Sequence, residues 1–567
     1  MYSPLSVPPS RLRRSVVVLC GVAVVLSLTA IWRDRIADSD ASTSLALDLS
    51  RDDKVRPDGS LAPPQQFRLL HSSLHPQYTA GDVLVARVVG PSLEVEDRSW
   101  LRMVALGDQG QRATGYPMPA PYYGWVLPLL EPGNWTLDVR LVDFDVPDIV
   151  DRDNQRVPLD PSGEPPAWAK CYNESISDGE HAFEVLPAIA DVPARLRENV
   201  ARLPSAIRTA DIDSAGTLAN TSCSSRSDVL AGSWSSAAEG GHFQAFSGCD
   251  SLSTARDAVP GYIARSPETT IKWIRFIGDS NTRMLVKDNF PWINLLLPPG
   301  LYPVEPPNGR GTPPCIYGFN PVHGKDEQYL CVLHLGPSKT PTLISYEWFS
   351  LNPLDSSPLE DVYPRSVRQA FASLYSNSTI LNERFTGRFG RVDPAYNVTH
   401  TVETLLAPFP DLLDLEYADH TLVSFGSHRT ETTTAEWQAH LDSLTSMWPR
   451  TRQHAGLARA GQPEREHLTL INTTPIDAVS IPEKFGSQHL VRNNRRIEAR
   501  NALLQQHLAT SAQLQSSQRY PPAQAFLFDL YGMLLPLVEV QHDPVHSMPW
   551  IYRAEVQLFL DHVVRRG

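Results

Sequence analysis

At 567 residues the chain is long enough for about two or three domains. Its 63 acidic residues outnumber 50 lysines and arginines, giving a net charge of −13. That balance leaves no basic surface and argues against nucleic acid as a partner.

Residues 16–32 read VVVLCGVAVVLSLTAIW, an almost unbroken apolar run without a charge. A spanning helix needs about 20 such residues, with a lower bound of roughly 17. Arg11, Arg13 and Arg14 precede the run, and Asp34, Asp38 and Asp40 follow it. This asymmetry predicts a cytoplasmic tail over 1–14, a transmembrane signal-anchor over 15–32, and the remainder in the lumen of the secretory pathway. A cleaved signal peptide is the rival reading, but its apolar core would be shorter, and Trp32-Arg33 makes a poor cleavage exit. No second run of this kind follows, so a single-pass type II membrane protein is expected. Six Asn-x-Ser/Thr sequons, at Asn134, Asn173, Asn220, Asn377, Asn397 and Asn472, suit a glycosylated lumenal protein. Beyond Cys20 the cysteines are Cys171, Cys223, Cys249, Cys315 and Cys331, in no zinc-binding spacing. An oxidising lumen allows disulfides, and local pairing of Cys223 with Cys249 and Cys315 with Cys331 leaves Cys171 over.

Residues 33–64 are polar and aperiodic, which predicts a stalk. The stretch 65–187 reads as an all-β, immunoglobulin-like or filamin-like sandwich. Gly81 signals a turn before the partly alternating Val83-Leu84-Val85-Ala86-Arg87-Val88, and Glu131-Pro132-Gly133 signals another. After the second turn, Trp135, Leu137, Val139 and Leu141 fall on one face of a strand. The segment carries no catalytic pattern; spacing and carbohydrate contact are both open roles for it. A weakly helical linker is expected over 188–222.

Texture changes in the last region, 223–567. Short apolar runs at Ile271–Ile277, Thr342–Tyr346, Thr421–Phe425, Leu468–Ile471 and Ala525–Leu530 read as buried strands. Between the last two, Ile497, Leu504 and Leu508 recur at helical spacing within Asn494–Leu508. Buried strands interleaved with helices indicate an α/β domain whose parallel sheet is covered on both faces. Ligands collect at the carboxyl ends of such strands, so functional residues should follow each run.

After the first run comes Gly278-Asp279-Ser280-Asn281-Thr282-Arg283. A serine at a strand–helix junction presents its hydroxyl at the sheet edge, where its own N–H can help hold an oxyanion. The bland alternative is that Asp279 or Ser280 is a helix cap. After the last run the chain reads His542-Asp543-Pro544-Val545-His546. His546 can take a proton from Ser280 while Asp543 fixes the useful tautomer; His542 is a nearby decoy. Alternatively these residues merely precede the last helix, with Pro549 in its first turn. After the middle run, Gly426 and Ser427 in Gly426-Ser427-His428 could bring a donor to the oxyanion, or form a simple turn.

The ordered set of Gly-Asp-Ser, Gly-x-His and Asp-x-x-His resembles the lumenal SGNH/GDSL-like acyl-esterases. More narrowly it resembles the PC-esterase group of plant trichome-birefringence-like polysaccharide O-acetyltransferases, fungal capsule O-acetylation proteins and neurexophilin-and-PC-esterase proteins. Cys223…Gly232-Ser233-Trp234…Cys249, Arg492-Asn493-Asn494-Arg495-Arg496-Ile497 and Phe528-Asp529-Leu530-Tyr531-Gly532-Met533 add to the likeness, which spans roughly 223–567. It implies a three-layer α/β/α domain, Ser280 as nucleophile, His546 as base and Asp543 as its partner. Oxyanion donors would come from Ser280, Gly318, Gly426 and Ser427; Ser427 stands where many such enzymes place an Asn. No cofactor and no metal are implied. The partners implied are a glycan acceptor and an acyl donor, or a membrane protein supplying one, in a Golgi setting. Two other outcomes stay open: a carbohydrate acetylesterase, and a non-catalytic ectodomain that binds glycan or protein. A metal-dependent hydrolase built on His420, His428 and His546 lacks ligand spacing.

Overall fold

The computed structural model describes residues 62–119, 122–146, 168, 170–189, 191–208, 227–228, 231–238, 241–246, 271–286, 315–320, 326–334, 341–348, 366–370, 406–415, 418–424, 435–439, 441–442, 467–480, 492–515 and 525–566. The expected anchor over 15–32 and most of the stalk lie outside them. Among the described residues no helix is long and apolar enough to cross a membrane. The chain is a mixed α/β protein with two large sheets, and Lys54–Gly567 packs as one unit.

The first sheet is largely antiparallel. Its early strands are β1 (Arg68–Leu69), β2 (Gln77–Thr79), β3 (Val83–Val89), β4 (Trp100–Gly107), β5 (Arg112–Ala113) and β6 (Tyr116–Pro117). Then come β7 (Gly124–Pro128), β8 (Gly133–Asp143) and the long β9 (Cys171–Leu186). Gly81 turns the chain into β3 at φ +94°, a conformation that favours glycine, and a Cβ there would lie 2.8 Å from the Val192 carbonyl. On β8 the expected face holds: Trp135, Leu137, Val139 and Leu141 are all buried. The pairing of β8 with β9 shifts register twice, and along β9 Asn173 and Asp178 adopt positive φ. Between Asp138 and Arg140 the β9 partners jump from Glu180 to Ser175, and between Leu141 and Asp143 from Glu174 to Cys171, so β9 bulges at both places.

This sheet does not stop at 187. The hairpin β11 (Gly232–Trp234) and β12 (Phe243–Ala245) extends it through β5, pairing Ser233 with Ala113. Trp234 is wholly buried, donates its indole N–H to the Met533 carbonyl at 2.8 Å and meets Trp550 edge-on. Residues expected to belong to the last region thus complete the first sheet and pin it to the last helices.

The second sheet runs β10-β19-β18-β17-β13-β16-β15-β14. Its members are β10 (Ser227–Asp228), β13 (Trp273–Gly278), β14 (Cys315–Asn320), β15 (Asp326–His334), β16 (Pro341–Trp348), β17 (His420–Ser424), β18 (His467–Ile471) and β19 (Ala525–Phe528). From β10 to β16 every pairing is parallel, whereas β14 and β15 run antiparallel at the edge. The expectation of a parallel sheet therefore holds for its centre only. The sequence reading passed over this edge hairpin, although Tyr329-Leu330-Cys331-Val332-Leu333 of β15 forms an apolar run of its own. Its register sets Cys315 opposite Cys331, which is disulfide-bonded, and Cys171 is free; Cys223 and Cys249 lie outside the described residues.

Helices cover both faces. Ile274, Phe276, Leu422 and Phe528 pack with Ile551, Tyr552 and Phe559 of the C-terminal helix Pro549–Arg566. Ile277, Val423, Leu470 and Leu527 point the other way, toward Trp437, Leu441, and Leu504 and Leu508 of the helix Asn494–Gln515. Fully burying one such side chain contributes about 1.5–3 kcal/mol. Between these apolar layers Arg275 of β13 is 1% exposed and forks onto Glu347 of β16 at 2.6 and 2.9 Å. A buried guanidinium needs that planar partner.

Candidate active site

The central strand β13 ends at Gly278, where a Cβ would come within 2.4 Å of Thr282 Oγ1 and 3.0 Å of the Ser424 carbonyl of β17. Only glycine lets the chain turn so close to its neighbour. Asp279 follows, 2% exposed, and its carboxylate accepts from the Asn281 N–H at 3.0 Å. The Tyr346 hydroxyl of β16 is 3.1 Å from the carbonyls of both Gly278 and Asp279, which fixes the turn from below. Asp279 therefore does the capping. Ser280 opens the helical residues 280–286, is buried at 8% exposure, and makes no hydrogen bond from its hydroxyl among the described residues.

The second component is the loop between the 3-10 helix Leu535–Val540 and the C-terminal helix. His546 Nδ1 lies 2.9 Å from each carboxylate oxygen of Asp543. The same carboxylate accepts the N–H groups of Val545 and His546 at 3.0 Å, closing a tight turn that an isolated bridge between the two residues reinforces. Neither residue caps the helix, since the Met548 carbonyl accepts the first N–H groups there. His546 Nε2 is buried and has no partner among the described residues. His542 is exposed, and only its backbone joins the turn.

The two components meet through Tyr552. Its hydroxyl donates to Asn281 Oδ1 at 2.9 Å and accepts the Ser547 N–H at 3.2 Å. Asn281 follows Ser280 and Ser547 follows His546, so one phenol ties the residues next to both candidate groups. Asn281 Nδ2 continues to Thr474 Oγ1 at 3.2 Å, beyond β18. A narrow crevice opens among Asn281, Thr282, Ser424, Asn472, Thr473 and Glu555. Glu555 is 1% exposed; burial pushes its carboxyl up to about 8 against a hydrogen bond from Ser547 that lowers it. At neutral pH it is mostly protonated.

The supporting pieces have structural work of their own. Asn472 is 2% exposed, donates to Asp529 at 2.5 Å and accepts the Tyr531 N–H at 3.1 Å. Its sequon is therefore closed to a glycan in the folded chain, unlike Asn134, which is exposed. Asp529 also caps the helix Leu530–Leu534 through the Gly532 N–H. Asn494 pairs with both backbone groups of Ile476, and Asn493 caps its own helix through the Arg496 N–H.

Topology removes one expected oxyanion donor, Gly318, and separates two histidines of the metal reading that ligand spacing had already disfavoured. Gly318 lies in β14 opposite Gln328, three strands from β13 along the sheet. At about 4.8 Å per strand that is roughly 14 Å away, too far to share an oxyanion with Ser280. His420 begins β17 and pairs with Ile274 near the start of β13, at the amino end of the sheet, so it cannot join His546 around a metal. Gly426, Ser427 and His428 lie outside the described residues.

Sequence reasoning passed over Tyr552 and Glu555. The signal available was a carboxylate in the helical stripe Ile551, Tyr552, Glu555, Leu558 and Phe559, at a spacing reserved for core. No protein-family model, curated protein or solved structure matches the chain.

Proposed function

We propose that this protein transfers an acyl group, most simply acetyl, to glycan hydroxyls through an acyl-serine intermediate on Ser280. One observation carries the reading: among the described residues His546 has Nδ1 engaged by Asp543 and Nε2 buried without a partner, on a loop tied by Tyr552 to the residue after Ser280. A histidine oriented on one nitrogen and open on the other is what a general base for a serine requires.

In the proposed first half-reaction Ser280 Oγ, brought within reach of His546 Nε2 in the substrate complex, attacks the donor's acyl carbon while that nitrogen takes its proton. The tetrahedral adduct collapses, the bond to the leaving group breaks, and His546 returns the proton to that group. A sugar hydroxyl then repeats the attack on the acyl-serine, giving its proton to His546 and freeing Ser280 with its own proton restored. Asp543 holds the ring and stabilises its charged form throughout. The Ser280 N–H, at the start of a helix, supplies one oxyanion donor, and Gly426 and Ser427 remain proposed for another. Water in place of the sugar would give an esterase by the same steps.

This reading includes the finer architecture. The second sheet with its helices is taken as an SGNH-like three-layer domain, the first as an immunoglobulin-like sandwich, and 15–32 as an anchor holding both in the Golgi lumen. The parallel order of β19-β18-β17-β13-β16, with Ser280 just past the carboxyl end of β13, supports the first of these.

A fluorophosphonate probe tests the proposal. Purified protein should label once, and the modified peptide should contain Ser280. Ser280→Ala should abolish labelling, and His546→Ala should slow it about 10²–10⁴-fold. Labelling that survives Ser280→Ala would remove the assignment of the nucleophile.

A further inference from the structure

The loop bearing Asp543 and His546 is gripped from the first sheet as well as from its own. Glu539 stands just before it, on the 3-10 helix. Its carboxylate takes Arg102 of β4 at 2.6 Å and Arg112 of β5 at 3.3 Å, while Arg112 also donates to the Pro536 carbonyl. Arg102 is buried, 5% exposed. Burial alone would push the Glu539 carboxyl up, but Arg102, and then Arg112, hold it below its ordinary range. Farther along, Val545, between Asp543 and His546, packs with Trp100 of β4, Val142 of β8, Ile476, Ile497 and Tyr531. The opposite flank rests on the segment after β18: the Gln541 side-chain amide donates to the Pro475 carbonyl at 3.0 Å and the Asp477 backbone N–H donates to the Pro544 carbonyl at 2.8 Å.

We infer that the first sheet is a positioning element for the candidate triad, holding the Asp543–His546 loop in place through Arg102–Glu539 and through Trp100 and Val142 against Val545. The catalytic consequence rests on the acyl-transfer reading above. A short loop between helices has little stability of its own, and the base nitrogen must sit within a fraction of an ångström of its working place. Contacts on two sides remove the loop's freedom before any substrate binds. Removing Arg102 would release one side and leave the triad residues themselves untouched.

The test uses the full chain, with Arg102→Met, the conservative Arg102→Lys, and Val545→Ala, which leaves the ion pairs intact. Two readouts are taken: hydrogen exchange of the amides over 541–547, and fluorophosphonate labelling resolved into a maximal rate and a half-saturating concentration. Arg102→Met should raise exchange in the loop while the amides of β13, β17 and β18 stay protected. It should lower the maximal labelling rate about ten- to a hundred-fold without changing the half-saturating concentration. Arg102→Lys should recover much of that rate. If Arg102→Met does not fold, Val545→Ala should move both readouts in the same direction. Wild-type exchange over 541–547 in the folded variants would overturn the inference, as would a wild-type maximal rate. Wild-type protein that never labels would defeat the acyl-transfer reading instead, while loop exchange would still decide whether the first sheet holds the loop.

Discussion

Tyr552 and Asn281 are joined by a 2.9 Å hydrogen bond across 271 residues of sequence, and the same phenol takes the Ser547 N–H. This contact aligns the C-terminal helix with the turn after β13.

Tyr552→Phe keeps the ring in its apolar cluster and deletes only the hydroxyl. The Ser547 N–H would then be buried without an acceptor, which costs about 1–3 kcal/mol. The urea midpoint should fall accordingly, and Ser280 labelling should slow while the secondary structure stays intact by circular dichroism. A variant as stable and as reactive as wild type would deny the phenol this role.

The buried fork between Arg275 and Glu347 should matter to stability far more when broken than when replaced. Arg275→Met strands the carboxylate and is expected to destabilise by about 3–5 kcal/mol. Pairing it with Glu347→Leu should recover most of the loss, because neither charge then lacks a partner. Equilibrium unfolding in urea measures both, and a double variant no better than the single would refute the expectation.

Glu555 gives a pH signature. In the unfolded chain its carboxyl ionises near 4.5, but in the folded chain only near about 8. Between these values the folded state holds a proton that the unfolded state has lost, so its contribution to stability declines as pH rises and bottoms out above about 8. Glu555→Gln should remove that decline. Thermal midpoints of both proteins from pH 4 to 9 should therefore diverge, with the variant gaining on wild type toward alkaline pH. Parallel curves would count against a raised carboxyl.

Glycan mapping separates Asn134 from Asn472. If the chain traverses the secretory pathway, enzymatic deglycosylation in oxygen-18-labelled water should mark Asn134 and leave Asn472 unmarked. Burial and two hydrogen bonds keep the Asn472 amide from an enzyme that needs it exposed. A modified Asn472 in folded protein would contradict the arrangement around β18.

The central strands were legible in the sequence because each is buried on both faces. Ile271–Ile277, Leu468–Ile471 and the rest stood out as apolar runs, and the side-chain pattern of β8 showed its period of two. The place of Ser280 was legible too, since a strand–helix junction follows from local chemistry, and so was the pairing of Asp543 with His546. Asp543 and His546 lie three residues apart, so one turn suffices to join them. What no local pattern could supply was long-range pairing. The sequence reading sets the hairpin β11–β12 in the last region, and only the pairing of Ser233 with Ala113 assigns it to the first sheet. Gly318 looked like a candidate by order along the chain, yet strand order put it three strands away. Arg102 and Arg112 look like ordinary strand residues until the fold brings Glu539 to them from more than 400 residues away. The sequence by itself determined which segments are buried and which short turns carry reactive groups, because both follow from neighbours within a few residues. The tertiary structure alone decided which of those groups meet and what holds them, because such contacts form only when distant segments are packed into one core.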